Sequence, residues 1–324
     1  MKKILFFTHD IFTPENPEGY RIHQYFPYLK KCHYEIELLT TRTSFKNVLG
    51  SAKSADVVYL QRTLLNAFKF SMLRRCARVL VYDFDDAVMY GTKGESKTRR
   101  SRFARTVKHA DAVFCGNDFL CNEAKRYKKD NVFYVPTVVD PDEYPTKLHV
   151  DKMQCVVGWT GSSSTSRYLE DIEELFRFYE NDGHTVFKFI ADKPPNLNMR
   201  EGKLLFEKWQ KEREKTCFLD FDMGIMPVRD DKWSQGKCGL KLIQYMAAGL
   251  PSITNPIGVA NDMIEDGING FIRMGTEGWR DAIDRLSKDV KQRISMGRAA
   301  RGVVEERFSL KRWGPKISEI ISSL

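Results

Sequence analysis

Short apolar runs alternate with helix-period segments along this whole chain, a pattern that commits it to parallel sheets covered by helices. In the first half, strands are expected at Lys3–Thr8, Glu35–Leu39, Val57–Leu60, Val79–Tyr82, Ala112–Cys115 and Val132–Val135. Helical periodicity fills the gaps around Tyr20–Lys31, Leu64–Cys76, Thr98–His109 and Asp118–Tyr127. The pattern pauses over Thr137–Val150, where Pro141 and Pro145 fall among acidic residues, and this stretch reads as a hinge. It restarts with strands at Gln154–Trp159, Val186–Ile190, Leu204–Glu207 and Met223–Met226 and a helix at Ser166–Tyr179. A chain of 324 residues is long for one core. The expected fold class is therefore α/β, with two Rossmann-like doubly wound domains at residues 1–145 and 146–324. Helices close the chain, and the last, Trp313–Leu324, is expected to pack back on the first domain. Two such domains facing a cleft would hold ligands at the carboxyl ends of both sheets.

Composition removes several other classes. No run approaches the roughly 18 apolar residues of a membrane span. The opening MKKILFF is interrupted by His9 and Asp10 before it could serve as a secretory leader, and reads as a buried strand. Seven cysteines are scattered without close pairs, which argues against a disulfide framework or structural zinc and for a reducing cytoplasm. Residues 1–150 hold 25 Lys and Arg against 17 Asp and Glu, so nearly all of the net +9 charge sits in the first half. Its densest patch is Lys97–Lys108, six basic residues without an acid. Nucleic acid, an anionic membrane surface or a phosphorylated substrate would each fit this charge, as does a solvated helix face. No nucleic-acid motif accompanies it, and no nucleic-acid partner is expected.

Four segments carry groups suited to chemistry. Thr8–Tyr20 follows the first strand, is rich in proline, and places Gly19 beside Arg21 at a helix start, as in a ligand-facing loop. Asp83, Asp85 and Asp86 crowd one strand end, where they need a cation, a bound hydroxyl or solvent. Metal binding, general-base action, sugar-hydroxyl contact and helix capping all remain open for them. Gly158–Ser166, including Gly161, Ser162 and Ser163, offers backbone N–H groups and hydroxyls at a helix N-terminus, a natural anion site. It contains no Gly-Lys-Ser/Thr, and no GxGxxG occurs in the chain, so ATP hydrolysis and NAD binding find no support. In KCGLKLIQYMAAGLPSITNPIGVANDMIEDGINGFI, residues 237–272, Lys237, Lys241 and Gln244 fall at i, i+4 and i+7 and are expected to share one helical face. Gly236, Cys238, Gly239 and Leu240 would supply backbone at that helix start, and Gly249 with Pro251 should stop the helix near Ala248.

The order of these segments resembles the GT-B fold glycosyltransferases of family four. EGYRIHQYFPYL is similar to that family's glycine loop and following helix, and ADAVFCGNDFL and VFYVPTVVDPDEY to its next two segments. DMGIMPV followed by KLIQYMAAGLPSITNPIGVANDMIEDGINGF resembles its most specific block. The resemblance implies a retaining transfer from a nucleotide diphosphate sugar to an acceptor hydroxyl, with no metal or other cofactor. The donor would lie on the second domain, and a glycan, lipid-linked or small-molecule acceptor on the first. It makes Asp83, Asp85 and Asp86 acceptor- or sugar-facing groups rather than metal ligands. Two departures stand out. The family's paired glutamates fall at Gly236 and Gln244, and its basic pair falls in the Ser162–Arg167 stretch, where Ser162 replaces an Arg and Arg167 lies near the second position. Lys237 and Lys241 would then supply charge to the diphosphate. A cytoplasmic enzyme of surface polysaccharide or glycolipid assembly is expected, peripheral to the inner membrane face. The alternatives are a nucleotide-sugar epimerase of the same fold and a non-catalytic anion-binding protein.

Overall fold

The computed structural model describes residues 2–9, 20–91 and 94–324, arranged as two compact units. Unit 1 comprises Met1–Val138, Asp231–Cys238 and Leu310–Leu324; unit 2 comprises Val139–Asp230 and Gly239–Ser309. The last helix, Leu310–Ser323, thus belongs with the first unit. So does a short stretch, 231–238, from the middle of the second half.

In unit 1 the strands are β1 (Lys2–Thr8), β2 (Tyr34–Thr40), β3 (Val57–Gln61), β4 (Val79–Phe84), β5 (Tyr90–Gly91), β6 (Gly94–Glu95), β7 (Ala112–Cys115) and β8 (Val132–Tyr134). β5 and β6 form a small hairpin, and the other six make one parallel sheet in the order β2-β1-β3-β4-β7-β8. Because side chains alternate along a strand, Leu5 and Phe7 enter one core while Ile4 and Phe6 enter the other. Helices Phe45–Ser54, Ala67–Cys76, Lys97–His109 and Asp118–Lys125 cover the first face. Leu29 of helix Phe26–Lys31 and Trp313 and Ile317 of the last helix cover the second. Helix Phe45–Ser54 carries no apolar stripe long enough to be read from sequence; Val48 and Ala52 alone are buried.

Unit 2 repeats the plan with β9 (Cys155–Thr160), β10 (Thr185–Ala191), β11 (Leu204–Lys208), β12 (Met223–Met226), β13 (Ser252–Thr254) and β14 (Gly270–Ile272). They form a parallel sheet in the order β11-β10-β9-β12-β13-β14. The helix expected over Ser166–Tyr179 is instead two pieces, Ser163–Glu170 and Glu173–Arg177. β14 is not among the expected strands, since a three-residue strand carries no period.

The sheet orders position the sites. In each sheet the connections reverse direction beside the first strand, β1 next to β3 and β9 next to β12, and such switch points leave a crevice beyond the carboxyl ends. Gln61 and the Asp83 cluster stand at that end in unit 1, and Gly161–Ser163 in unit 2. Among the described residues, no helix is long and apolar enough to cross a membrane.

Candidate active site

In unit 1, register brings Thr8, Gln61 and Asp83 side by side at the strand ends, and Thr8 donates to Gln61 over 2.6 Å. Asp83 is wholly buried. Arg21, also buried, grips it with Nη2 at 2.7 Å and Nε at 3.0 and 3.1 Å, and donates its remaining amine to the Val135 carbonyl. Burial raises the Asp83 carboxyl to about 6 while the Arg21 charge opposes that rise. As placed, Arg21 and Asp83 lock the entrance of the first helix onto the strand end, and neither faces solvent. Gly19, the expected companion of Arg21, lies outside the described residues.

Asp85 and Asp86 are arranged differently. Both are partly exposed and both face Arg62, which contacts Asp86 directly and holds Nε 3.6 Å from Asp85 Oδ1. That Asp85 oxygen accepts no hydrogen bond from any described residue. Burial raises the Asp86 carboxyl, Arg62 opposes, and the Asp85 charge adds to the rise. Arg62 carries no motif that sequence reading could have used. Its signal is conformational: it adopts φ 55°, a left-handed backbone that L side chains enter at a cost of about 1–2 kcal/mol. Among the described residues, no group of three or more His, Cys, Asp or Glu is placed to hold a metal ion.

The 231–238 stretch packs into this unit. Asn117 Nδ2 donates to the carbonyls of Gln235 at 3.0 Å and Lys237 at 3.1 Å, while its Oδ1 caps the following helix through Leu120 N–H at 2.9 Å. Cys238 Sγ donates to the Asp85 carbonyl at 3.1 Å, and burial holds its thiol well above the ordinary range. A Cβ on Gly116 would sit 2.3 Å from that sulfur, and one on Gly236 would sit 2.6 Å from the Ala87 backbone nitrogen. Gly236 therefore serves chain packing, not the open ligand approach expected of it. Gly236→Ala is expected to destabilise the protein by about 1–3 kcal/mol, as overpacking does, which thermal denaturation would register. An unchanged melting temperature would show that the stretch is not held there.

In unit 2, helix Leu240–Ala247 begins only after Gly239, whose φ of 70° suits the left-handed turn at its N-cap. It ends at Ala248 with Gly249 at φ 71°, where the Gly-Leu-Pro stop places it. The expected shared face of Lys237, Lys241 and Gln244 is corrected by this start: Lys237 lies ahead of the helix, among the residues held to unit 1. Gln244 is buried and its Nε2 is 3.3 Å from the Tyr144 hydroxyl. Leu240 is the first residue of the helix and is half-buried. Lys241 is the residue aimed at the crevice loop. Its Nζ lies 3.2 Å from Thr165 Oγ1 and 4.5 Å from the centre of the Trp159 ring. Gly161 makes room for it, since a Cβ there would lie 2.3 Å from Trp159 and 2.8 Å from the Lys241 nitrogen.

The helix N-terminus beside it is formed by Ser162, whose N–H donates to Thr165 Oγ1 at 3.2 Å, and by Ser163. Ser163 N–H and hydroxyl are taken by the Asp192 carboxylate at 2.5 and 2.8 Å. Burial works against the Asp192 charge, but these Ser163 bonds prevail and hold its carboxyl below the ordinary range. An anion site is thus present and filled by an internal anion, which the sequence, 29 residues away, gave no reason to place there. Arg167 does not join this group: its guanidinium lies over the Tyr168 ring at 5.2 Å.

Comparison with known proteins places these features in context. Residues 166–289 match the family model described as Glycosyl transferases group 1. No curated protein matches the sequence. Among solved structures, HepE from Anabaena, in complex with UDP and glucose, is similar with 16% identity, full coverage of both chains and a TM-score of 0.77. Sucrose-phosphate synthase from Thermosynechococcus elongatus is similar with 11% identity, 100% and 99% coverage and a TM-score of 0.75. A glycosyltransferase from Rickettsia africae is similar with 14% identity, 99% and 98% coverage and a TM-score of 0.77. At these identities the likeness concerns the fold, which is GT-B: two α/β domains, each on a six-stranded parallel sheet.

Proposed function

We propose that this protein transfers a sugar, with retention of anomeric configuration and without a metal, from a nucleoside diphosphate sugar to an acceptor hydroxyl in polysaccharide or glycolipid assembly. The observation that carries the reading is the placement of Lys241 against the Gly161–Thr165 turn, at the edge of a segment that matches group 1 glycosyltransferases. HepE has been crystallised with UDP and with UDP-glucose, and TarM with UDP, which favours a uridine nucleotide as the first donor to try.

The residues divide the work as follows. As the glycosidic bond breaks, the leaving diphosphate gains negative charge, and fixed donors aimed at that charge are usually the largest catalytic contribution. In unit 2 Lys241 supplies one, and the N–H groups of Ser162 and Ser163 join it when the diphosphate displaces Thr165 Oγ1 and Asp192 from them, with Gln244 at a donor hydroxyl. The backbone from Gly236 to Leu240 and Lys237 carry the chain past this group. In unit 1, Asp85 and Asp86, braced by Arg62, accept hydrogen bonds from sugar or acceptor hydroxyls through the parts of their carboxylates that stay exposed. Asp83 and Arg21 act beneath them as positioning residues.

Thermal denaturation in the presence of UDP, GDP and ADP, followed by their sugar conjugates, tests the reading. A stabilising shift with one base, and a product whose anomeric proton keeps the donor's configuration by NMR, is the expected result. No shift with any nucleoside diphosphate would sink it, and an isomeric nucleotide sugar formed without acceptor would indicate an epimerase.

A second result should follow from Asp192. A diphosphate approaching Ser163 meets a carboxylate already bonded there, and like charges at such distances repel. Asp192→Ala is therefore expected to tighten nucleoside diphosphate binding several-fold in isothermal titration. Weaker binding would make Asp192 a ligand contact instead of a competitor.

A further inference from the structure

Helices Phe45–Ser54, Ala67–Cys76 and Lys97–His109 lie in the same layer over the unit 1 sheet, sending Val48, Phe70 and Phe103 into one core. Together they contain eleven Lys and Arg and not one Asp or Glu. The patch read from the sequence in the third helix is therefore one part of a larger face.

Internal ion pairing leaves most of this charge uncompensated. Among the described residues, only Arg74 and Arg100 of the eleven have a carboxylate within ion-pair distance, Arg74 with Asp111 at 3.2 Å and Arg100 with Glu123 at 3.5 Å and Glu95 at 3.9 Å. The other carboxylates nearby are already used: Asp56 by Arg78 at 2.8 Å and Glu37 by Lys3 at 2.8 Å. Keeping many like charges on adjoining helices costs stability, so an external anion is the natural complement.

An apolar group accompanies the charge. Phe68, on the first turn of helix Ala67–Cys76, is 74% exposed, next to Lys69. No other large apolar side chain in the described part of unit 1 is so exposed; Leu324 reaches only 36%. A bilayer interface takes both kinds of group at once, the ring at the acyl boundary and the cations at the headgroups. Nucleic acid would use the cations alone, because one aromatic side chain makes no stacking platform.

We propose that this three-helix face of unit 1 docks on a membrane surface rich in anionic lipid. The seat is independent of the transfer reaction, as none of its cations belongs to the Arg62 or Lys241 groups. Each cation removed should lower the partition coefficient about fivefold.

The test is co-sedimentation of the full chain with phosphatidylcholine vesicles, with and without phosphatidylglycerol, at low and raised salt. Binding is expected only with phosphatidylglycerol and should weaken as salt screens the charges. Lys69→Glu, Lys97→Glu and Lys108→Glu combined should reduce it by more than tenfold with an unchanged circular dichroism spectrum, and Phe68→Ala should reduce it at all salt concentrations. Lys288→Glu with Lys291→Glu, on unit 2, should leave it unchanged. Equal binding to neutral vesicles, no binding to either, equal loss in the unit 2 variant, or tighter binding to a DNA duplex than to anionic vesicles would each overturn the proposal.

Discussion

Asp83→Ala is expected to cost the protein about 3–5 kcal/mol of stability, because it strips the partner from a buried guanidinium. Arg21 is 3% exposed and Asp83 is fully buried, so water cannot replace the lost carboxylate without opening the unit. Arginine does not escape by losing its proton. Among the described residues, Arg21 would retain only the Val135 carbonyl, one acceptor for a group with five N–H donors. The midpoint of urea denaturation should therefore fall sharply. Replacing both partners, Arg21→Met with Asp83→Leu, should recover much of the loss, since no uncompensated charge remains. This pair of variants separates two roles for Asp83. An unchanged midpoint in Asp83→Ala together with lost sugar transfer would restore the sequence reading of a group that contacts the sugar. A fallen midpoint with recovery in the double variant makes it a positioning residue, working through the helix that Arg21 anchors.

The same contrast shows what could be read from the residues and what could not. The two sheets were legible because a buried parallel strand must be a short apolar run, and β1, β3, β4, β7, β9, β10 and β12 all are. The Gly249 stop was legible because only a few residues tolerate its φ of 71°. Burial of side chains at the strand ends was not legible. Asp83, Asp85 and Asp86 look alike in sequence, yet one is sealed beneath Arg21 while the others stay partly exposed beside Arg62. The fate of 231–238 was hidden for a related reason. Nothing local tells that Asn117, more than a hundred residues earlier, reaches the Gln235 and Lys237 carbonyls. Periodicity misled at Lys237, because i, i+4 and i+7 describe one face only when a helix runs through all three. Gly236 and Gly239 were the warning, each lowering helix propensity by about 1 kcal/mol.

Lys241→Ala should lower kcat/KM for sugar transfer by about a hundredfold to a thousandfold, the usual effect of removing a donor aimed at charge that develops in the transition state. The sequence stripe treats Lys237 and Lys241 as equals, but their surroundings differ. Lys241 stands over Trp159 with its ammonium 3.2 Å from Thr165 Oγ1, at the turn where a diphosphate would meet helix N–H groups. Lys237 precedes the helix, and its charge acts on Asp86. Lys237→Ala is therefore expected to change kcat/KM much less. Lys241→Arg should recover part of the loss, because charge is kept while the reach changes. Stability sets an internal check: the ring contact of an exposed cation is worth about 0.5–1 kcal/mol, so Lys241→Ala should stay folded under assay conditions. Gly161→Ala attacks the same geometry from the other side by forcing a methyl group into the space that Trp159 and Lys241 share. It should lower nucleotide affinity without removing any charge. Equal losses in Lys237→Ala and Lys241→Ala would revive the single stripe, and an unaltered kcat/KM in Lys241→Ala would remove this lysine from the donor site.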